Sequence, residues 1–539
     1  MRRLVLPLLA LFILSPAASA GPHARKEPLP VISGLSVGNG GFPWGNDGKL
    51  LTTISFGGDT FRHAATIRFH LSKRARVQIQ ITRTVRAPYP VWQQSLELQR
   101  GWHSFDWAPA KPVSPRTYLV RITAIDAIGQ RSIYGARSLL GSLRSEQPTP
   151  VIRVLGIDAG FGAPSYGPNE IASLSVAADV PSLTVQFFQS GVEHAFTTAA
   201  NVMSGLPVGD PVTVDWRLWR DSSHPLRLWI GAWPSGLYFA KLTGPNGEVG
   251  YAPFVVRPLT LGEHRVAVVL PTMTWQAYNF RDDDGDGWGD TWYAGPPNRT
   301  VRMGRAFLNR GVPPHFAKYD LGFLHWLAWS GKSVDFLADA DLDRIADGQG
   351  LANRYDLIVF PGHTEYVTQH IRDVVQRYRD LGGNLMFLAS NNFFWKVTET
   401  GPLLTRIALW RAAGQPEASL LGAQYLANDE GQTLWPYVVT SELTAPWLWT
   451  DTQLHNGDTF GFGFGIEIDA TTKDSPPGTL VLANIPAIYG PGYTAQMTYY
   501  ETPKGAKVFS AGTMNFGGSA TRWPQKKLLD NLWARLSVP

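Results

Sequence analysis

The run Leu357-Ile358-Val359-Phe360-Pro361-Gly362-His363-Thr364-Glu365-Tyr366 sets four apolar residues against a Pro-Gly stop and a polar segment. Four consecutive apolar residues bounded this way read as a strand buried on both faces. Downstream, Ile371, Val374, Val375, Tyr378 and Leu381 recur at helical spacing and end at Gly382-Gly383, the pattern of an amphipathic helix with a glycine stop. Leu385 to Leu388 then opens another apolar strand. Strand, helix and strand in this order predict a parallel pair with the helix packed across it. Upstream, Val266 to Leu270 and Val334 to Leu337 add two strands, and Phe323 to Trp329 reads as a helix stopped by Gly331. A hairpin around Pro503-Lys504-Gly505 and a terminal helix near Leu528 to Leu536 close the chain. Residues 264–539 are therefore expected to form an α/β domain with a mostly parallel sheet covered on both faces.

The preceding residues have a different period. Ile67, Phe69 and Leu71 alternate with polar neighbours, as do Val77, Ile79 and Ile81, and again Tyr118, Val120 and Ile122. Alternation of this kind gives strands with one buried face. Residues 45–141 are expected to form one β-sandwich and 149–258 a second. The second echoes the first: Phe105-Asp106-Trp107 returns as Val214-Asp215-Trp216, and the strand opening at Tyr118 returns as Ser235-Gly236-Leu237-Tyr238. Both read as immunoglobulin-like. The first resembles the flagellar-hook-assembly type of that domain, on its Asp-Trp strand, its Tyr strand and Ala124-Ile125-Asp126-Ala127. Residues 21–44, rich in Pro and Gly, read as a linker.

Arg2 and Arg3, the apolar stretch Leu4 to Leu14 and the small residues ending at Ala20 have the layout of a cleavable secretory signal over residues 1–20. The expected compartment is extracellular or periplasmic, with no membrane span in the mature chain. A chain of 539 residues has room for about three domains. It has no cysteine, which excludes disulfide scaffolds, zinc-thiolate sites and cysteine nucleophiles. Any metal must be held by oxygen and nitrogen. The formal charge is +5, or +3 without Arg2 and Arg3, and its basic residues are dispersed, the densest group being Lys73-Arg74-Ala75-Arg76. That distribution gives no expectation of a nucleic-acid partner.

In an open parallel sheet, ligands gather outside the carboxyl ends of the strands. Three such ends carry Tyr278, then His363 with Glu365, then Asn391. The segment from Gly362 to Glu365 occupies the strand-to-helix turn where domains of the class I glutamine amidotransferase-like type place a nucleophile. Neither Cys nor Ser stands there, and Thr364 is a poor replacement. Glu365 is suited to hold a metal or act as a base, with His363 sharing the task; a glutamate at a first helical turn also simply caps it. Beyond Tyr278, Asp282, Asp284, Asp286 and Asp290 fall at positions 1, 3, 5 and 9 of a calcium loop with Gly287 at position 6. Position 12 is Tyr293 instead of the bidentate Glu, so the alternatives are a dockerin-like or thrombospondin-like calcium turn and a solvated acidic loop.

Four segments together resemble the large subunit of N,N-dimethylformamidase and its relatives: Trp275-Gln276-Ala277-Tyr278-Asn279, Gly362 to Tyr366, Gly382-Gly383-Asn384 to Asn391, and Tyr499-Tyr500-Glu501 running into Phe509 to Thr513. The resemblance covers residues 225 to 539. It implies a mononuclear Fe(III) held by two tyrosines and a glutamate, which by motif and spacing fall on Tyr238, Tyr278 and Glu365. It also implies that His363, Asn391 and Glu501 carry proton transfer and oxyanion stabilisation, that the substrate is a small amide, and that a small partner subunit or a second copy takes part. The competing reading is a non-catalytic cell-surface or carbohydrate-binding protein that keeps the fold, since aromatic-rich sandwiches suit ligand stacking.

Overall fold

A computed structural model describes residues 28–538 apart from 40–49, 57–62, 84–89, 112, 115, 136–149, 220–223, 282, 284–289 and 294–299. The chain is rich in β structure and divides into two sandwiches and a larger mixed α/β unit.

In the first sandwich, Ile32–Gly38, Ala65–Leu71 and Gly101–Trp107 form one sheet. The facing sheet runs Leu51–Ile54, Val151–Val154, Arg116–Ile125, Ala75–Arg83, Pro90–Leu98, with Arg131–Tyr134 also on Arg116–Ile125. Ile67, Phe69, Val77, Ile79 and Ile122 fill the core between them, as their alternation requires. Two boundaries move. Ile32–Gly38 is a strand of this module and not a linker, and Val151–Val154 pairs with Leu51–Ile54 and Arg116–Ile125, so the second sandwich begins at Ile157.

The second sandwich sets Ile157–Phe161, Ile171–Ala178 and Leu226–Trp229 against a sheet ordered Ser165–Tyr166, Val249–Val256, Gly236–Thr243, Leu183–Gln189, Leu206–Val214. In each module a three-stranded sheet packs against a larger one. The Asp-Trp echo is not equivalent in space: Trp107 ends a strand, whereas Trp216 lies in a short 3-10 turn.

The third unit is built on a nine-stranded sheet ordered Asp335–Ala338, Val266–Leu270, Leu357–Phe360, Asn384–Phe387, Lys507–Ser510, Ala495–Glu501, Leu480–Ile485, Leu434–Val439, Thr459–Gly465. The first five strands are mutually parallel and the remaining pairings are antiparallel. The expectation of a mostly parallel sheet thus holds for one half; the other half is antiparallel. Alternate residues divide between two cores. Val268, Val359 and Met386 face the helices Leu321–Trp329 and Gln525–Leu536, while Val269, Ile358 and Leu385 face the helix Gln369–Asp380. The first of these cores is continuous with Leu237, Phe239, Tyr251 and Val255 of the second sandwich.

A further correction concerns the turn at Glu365. A short strand, Tyr366–Thr368, follows it and pairs in parallel with Trp395–Thr400; the helix starts only at Gln369, capped by Thr368. Glu365 therefore caps no helix. No helix among the described residues is long and apolar enough to cross a membrane.

Candidate metal and catalytic centre

Tyr278 is carried by the helix Thr272–Ala277, which follows the strand Val266–Leu270. This helix has no cap of its own, because Pro271 precedes it. Asp339 substitutes, accepting from Thr272 Oγ1 at 2.5 Å and Met273 N at 3.0 Å. The opposite turn of the helix reaches the next loop, where Glu365 N donates to Thr274 Oγ1 at 3.0 Å. Thr364 N donates to Asn392 Oδ1 at 2.9 Å, and Trp395 N to the Glu365 carbonyl at 2.9 Å. The backbone that carries the carboxylate is thus held from three neighbouring segments at once.

Phenols gather on that carboxylate. Tyr278 donates to Glu365 Oε2 at 2.7 Å, and Tyr293 lies 3.0 Å from Oε1 and 3.0 Å from the Tyr278 hydroxyl. Tyr366 contacts the Tyr293 hydroxyl in turn. The Tyr278 and Tyr293 rings stack at 4.7 Å, and Thr291 Oγ1 bonds the Ala277 carbonyl at 2.5 Å to hold the second loop over the first helix. His363 Nε2 sits 3.4 Å from Glu365 and 3.8 Å from Glu467, with no hydrogen-bond partner of its own.

Glu467 completes the group. It accepts from Asn391 Nδ2 at 2.7 Å and Asn428 Nδ2 at 3.1 Å, while Asn391 N donates to Asp469 Oδ1 at 2.9 Å. Asn391 Oδ1 is buried without a partner. Asn391, Phe393, His315 and Ile466, all around this site, have positive φ between 54° and 72°. For the β-branched Ile466 that conformation is costly, and strain of this kind persists where the surroundings impose it. His315, exposed at its surface, lies edge-on to Tyr278 at 6.3 Å.

Burial sets the electrostatics. It pushes the Tyr278, Tyr293 and Tyr366 hydroxyls well above the usual phenol value, and the Glu365 charge pushes them further. Desolvation raises Glu365, against hydrogen bonds from the three phenols and the charge of Arg406. Glu467 is raised well above the carboxylate range by burial and then by Glu365. Asp469 is pushed up to about 7, and His363 down to about 3, both by burial. Without a cation, burial therefore shifts the carboxyls and the imidazole of the centre toward their neutral forms, and a positive ion would shift the acids back.

The sequence-derived site residues separate. Tyr278, Glu365, His363 and Asn391 come together. Tyr238 does not: its hydroxyl donates to the Pro234 carbonyl at 2.9 Å inside the second sandwich core, as Tyr118 does to Ser114 at 2.7 Å in the first. Each makes the same local bond, from its hydroxyl to a carbonyl four residues upstream, which explains their repetition. Glu501 is also elsewhere, at the exposed end of a strand, paired with Arg535 at 2.7 Å and Tyr499. Tyr293, Tyr366 and Glu467 escaped the sequence reading. In the sequence Tyr293 stands out only as a misfit at position 12 of the acidic loop, and Tyr366 only as the neighbour of Glu365. Glu467 gives no local signal, since its strand Glu467–Ala470 reaches the site by pairing with Gln424–Asn428. Of the acidic loop, Asp282, Asp284 and Asp286 lie outside the described residues. Asp290 is 3.7 Å from Arg305, and Asp283 pairs with Arg281 at 2.5 Å. Among the described residues, no three His, Asp or Glu side chains converge on a metal position, so a metal here would depend on the phenols.

Comparison with known proteins places these residues in a family. The chain is 23% identical to the N,N-dimethylformamidase beta subunit of Paracoccus aminophilus, over 37% of this chain and 34% of the relative. It therefore spans about a third of that relative's length. Solved structures with some likeness include a Salmonella alpha-2-macroglobulin reacted with methylamine (TM-score 0.25, 11% identity, 42% of this chain and 16% of that one). Another is a trypsin-activated alpha-2-macroglobulin from Escherichia coli (TM-score 0.22, 9% identity, 52% and 19%). Both scores are too low to indicate a shared overall fold. Residues 212–527 match the family described as N,N-dimethylformamidase beta subunit-like, C-terminal, and the chain belongs to it.

Proposed function

We propose that the protein is an exported, iron-dependent hydrolase of small amides, with Tyr278, Tyr293 and Glu365 holding Fe(III) and Tyr366 beside them. The α/β unit is read as a relative of the amidotransferase-like domains, its site at the equivalent strand ends. One observation carries this reading: phenol oxygens from two loops and a carboxylate from a third lie within 3.0 Å of one another. Hard, anionic oxygen donors match a hard trivalent ion. The unpartnered His363 Nε2 and Asn391 Oδ1 supply two further polar atoms for a bound molecule. When bound, the ion would act as a Lewis acid toward an amide carbonyl or a water.

The chain's own groups account for proton handling. Glu467, held by two amide donors, is oriented to take a proton from water and return it to a departing amine, the part first assigned to Glu501. His363 stays neutral at physiological pH, able to accept or donate a hydrogen bond between the two glutamates. The Asn391 amide is engaged in holding Glu467, so it acts by orienting the base. A partner subunit belongs to the proposal because the curated relative is a beta subunit. Calcium in the acidic loop belongs to it too, as a brace for the Tyr293 segment.

Metal analysis and visible absorption of natively exported protein test this. Stoichiometric iron and a phenolate-to-iron band, both lost in Tyr278→Phe and in Tyr293→Phe, are expected, with amine release from small amides. Colourless, iron-free protein that binds glycans would instead establish the non-catalytic reading.

A further inference from the structure

Arg406, in the strand Leu403–Leu409 of a small sheet beside the centre, lies over two indoles. Its guanidinium carbon is 4.1 Å from the centre of the Trp395 ring and 5.7 Å from that of Trp292. Each indole leads to a different part of the phenol–carboxylate group. Trp395 N donates to the Glu365 carbonyl at 2.9 Å, and Trp395 is the strand partner of Tyr366. Trp292 directly precedes Tyr293 and packs against the Tyr366 ring at 4.6 Å. The Arg406 guanidinium makes no hydrogen bond or ion pair among the described residues, and its charge acts on both Glu365 and Tyr366. A cation held between two rings is oriented by their faces.

We propose that Arg406 is a positioning residue of the metal centre. Resting on the iron reading, the inference is that its guanidinium clamps Trp292 to Trp395. The clamp locks the loop of Tyr293 against the strand that Tyr366 opens next to Glu365, and it sets a fixed positive charge beside an otherwise anionic donor set. Residues behind a ligand shell commonly change metal affinity by about 10–100-fold when removed. Lysine keeps the charge but cannot stack on two indoles at once; methionine keeps apolar bulk and loses both properties.

The experiment compares the full-length wild type, Arg406→Lys and Arg406→Met by iron titration, by the position of the phenolate-to-iron band and by thermal melting without metal. About tenfold weaker iron binding and a displaced band in Arg406→Met, with Arg406→Lys intermediate, support the proposal. A lower melting temperature with wild-type iron affinity and an unmoved band overturns it, because a merely structural arginine acts that way. Should Arg406→Met not fold, Arg406→Lys and Trp292→Phe decide by the same two readouts. A wild type without iron or colour overturns the iron reading and this inference together; a coloured wild type with unaffected variants overturns the inference alone.

Discussion

Two tyrosines that the family resemblance assigns to one metal do different work, and the difference is in what their hydroxyls reach. Tyr238 bonds a carbonyl four residues back, whereas Tyr278 bonds a carboxylate 87 residues ahead. Tyr238→Phe should leave iron binding and colour intact while costing about 1–2 kcal/mol, the penalty for an unsatisfied buried carbonyl. Urea unfolding alongside iron analysis checks both halves. Asp320 is a second residue with a distinct signature. It is buried, its Oδ1 is unpartnered, and desolvation pushes its carboxyl up to about 8 from 3.8. Between those values the folded state holds a proton that the unfolded state has released, so stability falls as pH rises, by about 1.4 kcal/mol per unit at most. His363, depressed to about 3, acts oppositely only below its unfolded value of 6.5. Metal-free protein should therefore lose stability between pH 6.5 and 8, and Asp320→Asn should flatten that decline.

The loop after Leu357–Phe360 is the element on which the centre turns. A methyl group at Gly362 would lie 1.9 Å from Asp320 Oδ1 and 3.4 Å from Pro271. Gly362→Ala should displace the loop, weakening iron binding at least tenfold, a figure typical of lost ligand support. The double variant Gly362→Ala with Asp320→Ala should recover much of it, and failure to recover would trace the defect elsewhere. The loop also shows which site residues can be read from sequence. His363, Glu365 and Asn391 lie in the loops that follow apolar strands, and Tyr278 ends the short helix after another, so the rule for strand ends finds them. Tyr293 lies beyond an acidic insert, and Glu467 belongs to a separate two-stranded ladder with Gln424–Asn428, where register between distant strands decides position. Spacing alone misdirected Tyr238 and Glu501: a repeated structural tyrosine and a hairpin end fell at suitable separations by sequence.

At the scale of the whole molecule, the two sandwiches stand in unequal relation to the α/β unit. The first has a core closed on itself, from Ile32 to Val154. The second shares its core with the large sheet through Met203, Leu237, Phe239, Tyr251 and Val255. It is pinned further by Ser165 Oγ to Asp341 at 2.6 Å and by His325 to Glu193 at 3.1 Å, all four residues buried. Burying a large apolar side chain stabilises by about 1.5–3 kcal/mol. Exposing those five would cost roughly 10 kcal/mol, comparable with the 5–15 kcal/mol that holds a typical domain together. A chain starting at residue 156 should therefore fold and bind iron, melting within about 2 °C of the full chain, a shift worth about 1–2 kcal/mol. One starting at residue 260 should be insoluble or unfolded by circular dichroism. If the shorter chain folds and keeps its iron, the second sandwich is an accessory module, and the shared core contributes far less than its burial implies.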